Sequence, residues 1–216
     1  MDIAAIENAL NNIKNESKVI ITDTDLTFDL FLHCFTKCAQ KYTANYIITA
    51  EIDKILHSFF NYLKKGEQTK GIYIAGGTGT GKTTLMNIFF DVVSLLNIKY
   101  TYGDKYIYLR PDRYKEIDIN KIFLKKGSFP GIERATIYID DFGQNKSINY
   151  MGNIINPMEE ILLTRFDDMR HSFTYFSSNY PIHHEAIKEK YGERIFDRLQ
   201  YFCYYCELKE KNFRKT

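Results

Sequence analysis

Gly76-Gly-Thr-Gly-Thr-Gly-Lys-Thr83 fits the pattern G-x-x-x-x-G-K-[ST], and its flanks fit as well. Ahead of it, Gly71-Ile-Tyr-Ile-Ala75 is a short apolar β-type run. Behind it, Thr84 to Leu96 carries apolar residues at helical spacing. A strand, a glycine loop and a helix in that order predict a phosphate-binding loop. Its backbone N–H groups turn inward around phosphate oxygens, and the helix N-terminus adds partial positive charge. Gly76, Gly77, Thr78, Gly79, Thr80, Gly81, Lys82, Thr83 and Thr84 are therefore the candidate nucleotide-binding residues. Lys82 is expected to reach the β- and γ-phosphates of ATP, and the Thr83 hydroxyl to ligate Mg²⁺.

Working outward, the first 45 or so residues separate from the rest. Ile3 to Ile13 has helical spacing, Val19 to Asp25 is a short apolar run and a turn, and Leu26 to Ala39 is helix-like again. So small a segment holds little core of its own, which predicts docking on the main domain or on a partner. Residues 1–45 are thus read as a small partner-docking segment and 46–216 as the nucleotide-binding domain. Ile52, Ile55, Leu56, Phe59, Phe60 and Leu63 share one face of an amphipathic helix that stops at Lys64-Lys-Gly66. After the loop and its helix, Ile98 to Tyr102 reads as a second strand, and Gly103 to Gly131 as irregular or helical. Ala135 to Ile139 reads as a third strand, and Asn156 to Arg170 as a helix with Pro157 at its first position. Ser172 to Ser177 reads as a fourth strand, followed by a helical section with Arg194 and Arg198 and a fifth strand around Cys203. Strands alternating with helices predict an α/β fold: a five-stranded, mostly parallel sheet with helices on both faces. Ligands of such sheets gather at the carboxyl ends of the strands.

Bulk composition narrows the classes. The chain has 216 residues, 44% hydrophobic and 26% charged, with a net charge of +2. Nonspecific polyanion binding is not forced by that charge, so any nucleic-acid contact needs a local patch. No run approaches a membrane span, and Met1-Asp-Ile-Ala-Ala-Ile-Glu7 lacks the form of a signal peptide, so a cytoplasmic location with no membrane partner is expected. The four cysteines are Cys34, Cys38, Cys203 and Cys206. Their spacing would allow a zinc site, but 203 and 206 on a strand face opposite ways and 34 and 38 lie one helical turn apart. Free thiols are expected.

Asp140 ends an apolar strand and is placed to hold Mg²⁺ opposite the loop, as in a Walker B element. Asp141 beside it is the candidate for polarising the attacking water. Asn179, at the end of the fourth strand, could orient that water or touch the γ-phosphate, although Ser-Asn-Tyr-Pro is also a turn sequence. Arg194 and Arg198 share a helical face. They are either surface arginines paired with Glu193 or Asp197, or an arginine finger supplied to a neighbour. Between the second and third strands, Lys105, Tyr106, Tyr108, Arg110, Arg113, Tyr114, Lys115, Lys121, Lys125 and Lys126 could follow phosphates and stack on bases. Asp112, Glu116 and Asp118 dilute that patch, and a solvated basic face over core tyrosines explains it equally well.

Taken together, Gly-x-Gly-Lys-Thr, Ile-Asp-Asp-Phe-Gly, Thr-Arg-Phe, Ser-Ser-Asn and Tyr-Gly-Glu-Arg-Ile-Phe-Asp-Arg-Leu resemble the DnaC/IstB-type branch of AAA+ ATPases. That branch contains replicative-helicase loaders and transposition helper ATPases. The likeness covers about residues 50 to 216, and Lys211-Asn-Phe-Arg214 resembles the branch's Ser-Tyr-Arg ending with Asn in place of Ser. The resemblance implies a lidless AAA+ domain, with Lys82 and Thr83 on phosphate and Mg²⁺, Asp140 on Mg²⁺, Asp141 on water and Asn179 as sensor. It implies Arg198 as the finger, with Arg194 as the alternative, and hence self-association. It also implies single-stranded DNA, and a replicative helicase or a transposase, as partners. A helicase loader in DNA replication is the leading expectation and a transposition helper the second. A small-molecule phosphotransferase and an ATP-gated adaptor with negligible hydrolysis are the readings from other classes.

Overall fold

The computed structural model describes residues 26–65, 70–102, 105–144, 147–167 and 173–209. The segments expected at 3–25 and 211–214 lie outside these residues, as do Gly66, Gly103 and the end of the helix expected to reach Arg170. Two compact units emerge. One takes 26–65 and 84–110, the other 70–83 and 111–209.

In the first unit, Thr27 caps helix α1 (Phe28–Ala39) by accepting from the Leu30 N–H at 3.3 Å. Helix α2 (Ala50–Lys65) buries Ile52, Ile55, Leu56, Phe59 and Leu63 of the expected stripe, plus Tyr62, while Phe60 is only half-buried. Phe59 meets Phe89 of helix α3 (Lys82–Leu95) with ring centroids 4.6 Å apart. The chain then forms β2 (Lys99–Tyr102) and β3 (Lys105–Tyr108).

The second unit is built on a parallel sheet in the order β4-β5-β8-β1-β9. Its strands are β1 (Gly71–Gly76), β4 (Asp112–Lys115), β5 (Ile137–Phe142), β8 (Thr174–Ser178) and β9 (Cys203–Leu208). Every neighbouring pair is parallel. Numbered along the chain, the five strands run 5-1-4-3-2 from the β9 edge. The central strands β1 and β8 are fully buried. β1 carries the apolar run of a parallel strand covered by other elements, whereas β8 buries Thr174, Ser177 and Ser178 beside Tyr175 and Phe176. Helices α4 (Glu116–Lys126), α5 (Pro157–Asp167) and α6 (Glu185–Phe202) supply Ile119, Phe123, Met158, Ile161, Leu162, Ile187, Tyr191, Ile195 and Leu199 to the core. A short hairpin, β6 (Ile148–Tyr150) and β7 (Asn153–Ile155), precedes α5.

One expected strand changes place. Lys99–Tyr102 is a strand, but it pairs antiparallel with β3 in a separate two-stranded sheet. The second strand of the main sheet is instead Asp112–Lys115, inside the stretch read as irregular or helical. Its residues are mostly exposed because β4 is the sheet edge, so it lacks the apolar signature that identifies a central strand.

Candidate nucleotide-binding site

β1 ends at Gly76, and the loop that follows delivers the chain to the N-terminus of α3 at Lys82. Gly79 and Gly81 take φ of 83° and 89°, the left-handed region that glycine enters at no steric cost. Thr80 braces the loop from inside: its hydroxyl donates to the Gly77 carbonyl at 2.9 Å. Lys82 folds back under the loop, only 7% exposed, and its ammonium donates to the carbonyls of Gly76 and Gly77 at 2.8 Å each. It also donates to Asn179 Oδ1 at 3.0 Å. Gly77, Thr78 and Gly81 are exposed, and Thr83 and Thr84 are half-buried.

On the next strands, Thr83 donates to Asp140 Oδ1 at 2.9 Å, Tyr138 to the same oxygen at 2.9 Å, and Ser177 to it as well. Burial, then the adjacent Asp140 carboxylate, pushes the Tyr138 hydroxyl up, so it stays protonated and donating. Tyr138 and Ser177 were not recognised from sequence. A tyrosine two residues before a strand-end aspartate does share its face, and that alternation was the available signal.

Asp140 and Asp141 follow each other directly, yet they are not in plain alternation. The β5–β8 register shifts between Ile139 and Phe142, inserting one extra residue in β5. Asp141 takes φ of 58°, a left-handed conformation rare for a residue with a side chain, and its N–H donates to the Ser177 hydroxyl at 3.3 Å. Such a bulge bends the strand and re-aims its side chains.

Lys82, Thr83, Asp140 and Asn179 therefore meet at the carboxyl end of β1, β5 and β8, with Asp141 next in the chain and its N–H on Ser177. The donor set fits Mg²⁺. A hydroxyl and a carboxylate, already hydrogen-bonded, are hard oxygen ligands of the kind this ion takes alongside phosphate oxygens and water. Thr83 can keep donating its proton to Asp140 while a lone pair faces the ion. Bound there, Mg²⁺ would neutralise charge on the β- and γ-phosphates.

The arginines lie elsewhere. Both meet Asp167 at the end of α5, Arg194 at 3.2 Å and Arg198 at 2.7 Å, rather than Glu193 or Asp197. Glu193 pairs with Lys188 at 2.8 Å. Register fixes how far they are from the loop. Cys203, at the start of β9, stands opposite Gly71, whereas Leu208 stands opposite Gly76. Arg198 precedes Cys203 by just over one helical turn, so it sits at the strand-start end of the sheet. Five residues of strand, about 17 Å, separate that end from the phosphate loop.

Arg165, from the Thr-Arg-Phe motif, is structural. Only 2% exposed, it donates to the Thr174 hydroxyl at 2.9 Å, to the carbonyls of Ala135 and Phe173 at 2.8 and 3.0 Å, and to that of Ile132. Burial pulls its guanidinium down to about 10, which leaves it cationic at neutral pH. Glu116, read as a surface charge in the basic patch, is 2% exposed and turned inward. Arg110, Arg113, Lys115, Lys121, Lys125 and Lys126 are exposed. Side chains at 105–108 lie outside what the structure describes. The cysteines are four buried free thiols. No helix among the described residues is long and apolar enough to cross a membrane.

No protein-family model matches the chain, and no curated protein matches it. Solved structures do. The chain is similar to the DnaC helicase loader at 14% identity and TM-score 0.53, over 77% of this chain and 95% of that one. It is similar to DnaI at 15% and 0.52, over 87% and 93%. It is also similar to the replication initiator DnaA bound to AMPPCP and single-stranded DNA at 15% and 0.53, over 78% of this chain and 49% of that one. The chain spans about half of that DnaA chain and nearly all of the two others. At these identities the likeness is one of fold, and the chain shares the fold of these proteins.

Proposed function

We propose that this chain is an Mg²⁺-dependent ATPase that assembles on single-stranded DNA and delivers a replicative helicase during DNA replication. The observation that carries the reading is the split layout. Lys82, Thr83, Asp140 and Asn179 gather at the carboxyl end of the sheet with Asp141 next in the chain, and Arg194 and Arg198 are held apart from them on Asp167. Asp141 polarises the attacking water, Asn179 follows the γ-phosphate, and Arg198, with Arg194 as the alternative, completes the site of a neighbouring copy. The Arg198 guanidinium is held on Asp167 at 2.7 Å, apart from the phosphate loop of its own chain. Exposed Arg113, Lys115, Lys121, Lys125 and Lys126 of the second unit supply the cations that track a DNA backbone. Residues 1–45 act as the helicase-docking segment and 46–216 as the ATPase domain. The fold shared with a helicase loader and a DNA-bound initiator supports replication over transposition.

Subunit mixing tests this. Lys82→Ala keeps the arginine but not the nucleotide, and Arg198→Ala keeps the nucleotide but not the arginine. Each alone is expected to be inactive, and the mixture to recover DNA-stimulated turnover. A mixture as inactive as its parts, beside an active wild type, removes the in-trans reading. Capture of a transposase but no helicase hexamer by the full chain removes the loader assignment.

A further inference from the structure

Glu116 is the one buried carboxylate among the described residues, and the chemistry above makes no use of it. A carboxylate out of water persists only when its oxygens are hydrogen-bonded. Those of Glu116 join one turn to helix α6. Oε2 accepts from the N–H groups of Gly143 at 3.1 Å and Gln144 at 3.0 Å, and Oε1 accepts from the Tyr191 hydroxyl. That hydroxyl also accepts from the Gly143 N–H at 3.1 Å, and the Lys190 ammonium donates to the Gly143 carbonyl. Tyr191 stacks on Phe142 with centroids 4.6 Å apart and planes within 14°. Ser178 fixes the Phe142 carbonyl at 2.7 Å. Gly143 itself, at φ 93°, has no room for more: an added Cβ would lie 2.9 Å from the Tyr180 ring.

The residue just upstream of this fastened turn is Asp141, in the left-handed bulge. A side-chain-bearing residue persists in such a conformation only where its surroundings over-determine it. Helices α4 and α6 do so from opposite ends of the second unit's sequence, through Glu116 and through Lys190 and Tyr191.

We propose that Glu116 and Tyr191 are positioning residues for Asp141. They hold the bulge in the one orientation that presents the Asp141 carboxylate to water at the γ-phosphate. The proposal rests on the ATPase reading and adds to it two residues that touch neither nucleotide nor metal.

Glu116→Gln and Tyr191→Phe test it, with Asp141→Asn as background. Positioning predicts that kcat falls roughly 10- to 100-fold in each single variant, because small misplacements of a reacting group cost that much. The KM for ATP and the affinity for a fluorescent ATP analogue stay within about twofold, since the loop residues are untouched. On the Asp141→Asn background, adding Glu116→Gln costs nothing more, a result that a merely structural role would not give. Unchanged kcat in both single variants overturns the proposal, as does a parallel loss of nucleotide affinity, or a further loss on the Asp141→Asn background. Should Glu116→Gln fail to fold, Tyr191→Phe decides alone, since it keeps the stacked ring and removes only the hydroxyl. A wild type that binds the analogue and never turns over ATP fails the ATPase reading itself, and the inference falls with it.

Discussion

The Lys82 ammonium donates a hydrogen bond to Asn179 Oδ1 across 3.0 Å, joining the phosphate loop to the end of β8. On the proposed reading, a γ-phosphate would compete with Asn179 for the lysine and leave the amide to turn toward phosphate or water. Asn179→Ala is therefore expected to hold ATP affinity within about threefold while lowering turnover roughly 10- to 100-fold, as loss of one preorganised polar group does. Lys82→Ala is expected to abolish nucleotide binding. Fluorescent-nucleotide titration beside steady-state turnover separates the two variants.

Asp140 collects three hydroxyl donors on one oxygen. Asp140→Asn should lose the Mg²⁺-dependent part of ATP binding. Its titration with ATP and Mg²⁺ should then overlay that of the wild type in excess chelator. A variant that still responds to Mg²⁺ contradicts this assignment.

Arg165 satisfies three carbonyls and a hydroxyl in the core. Lysine lacks the planar fork, so Arg165→Lys leaves buried acceptors unpaired and should cost about 2–4 kcal/mol of stability. Arg194→Lys, at an exposed ion pair, should change stability by less than about 0.5 kcal/mol. Urea unfolding of both variants checks the contrast.

The hairpin tip offers an improvement. Met151 and Gly152 turn the chain with φ of 50° and 84°, a two-residue connection that favours Asn-Gly. Met151 is 84% exposed and gives up no packing. Met151→Asn should raise stability by about 0.5–1 kcal/mol, since asparagine tolerates the left-handed region better. A lowered urea midpoint would refute it.

Alkaline stability follows from the thiols. Burial, reinforced by Cys38, pushes Cys34 from 9.0 up to about 11. A group raised on folding contributes fully below its unfolded value and loses that contribution as pH climbs to the folded one. The urea midpoint should be flat up to about pH 9 and decline toward 11, less steeply in Cys34→Ala. At neutral pH all four thiols should resist alkylation until the chain is denatured.

The parts legible in advance were those whose signal is local. The loop at Gly76–Thr83, the apolar strand before it and the helix after it declare themselves within a few residues. So does the face of α2. Pairing partners do not: Lys99–Tyr102 looks like a strand and is one, but nothing in its composition says that it folds onto β3 rather than joining the main sheet. The edge strand β4 is polar because solvent reaches it, and it was invisible for that reason. Glu116 lies 75 residues from Tyr191 and Ser177 lies 37 from Asp140, so their contacts arise only from the fold. Arg165 was visible as part of a motif, while its purpose, closing off carbonyls in the core, was not.

Cys203 opposite Gly71 brings the helix that carries Arg198 to its close at the strand-start end of the sheet, the end away from the phosphate loop. On the proposed reading, one molecule carries both halves of a reaction and cannot join them. Copy number then becomes the throttle. Dilute chains hold ATP as a charged but silent reserve, and crowding along a strand of DNA discharges it.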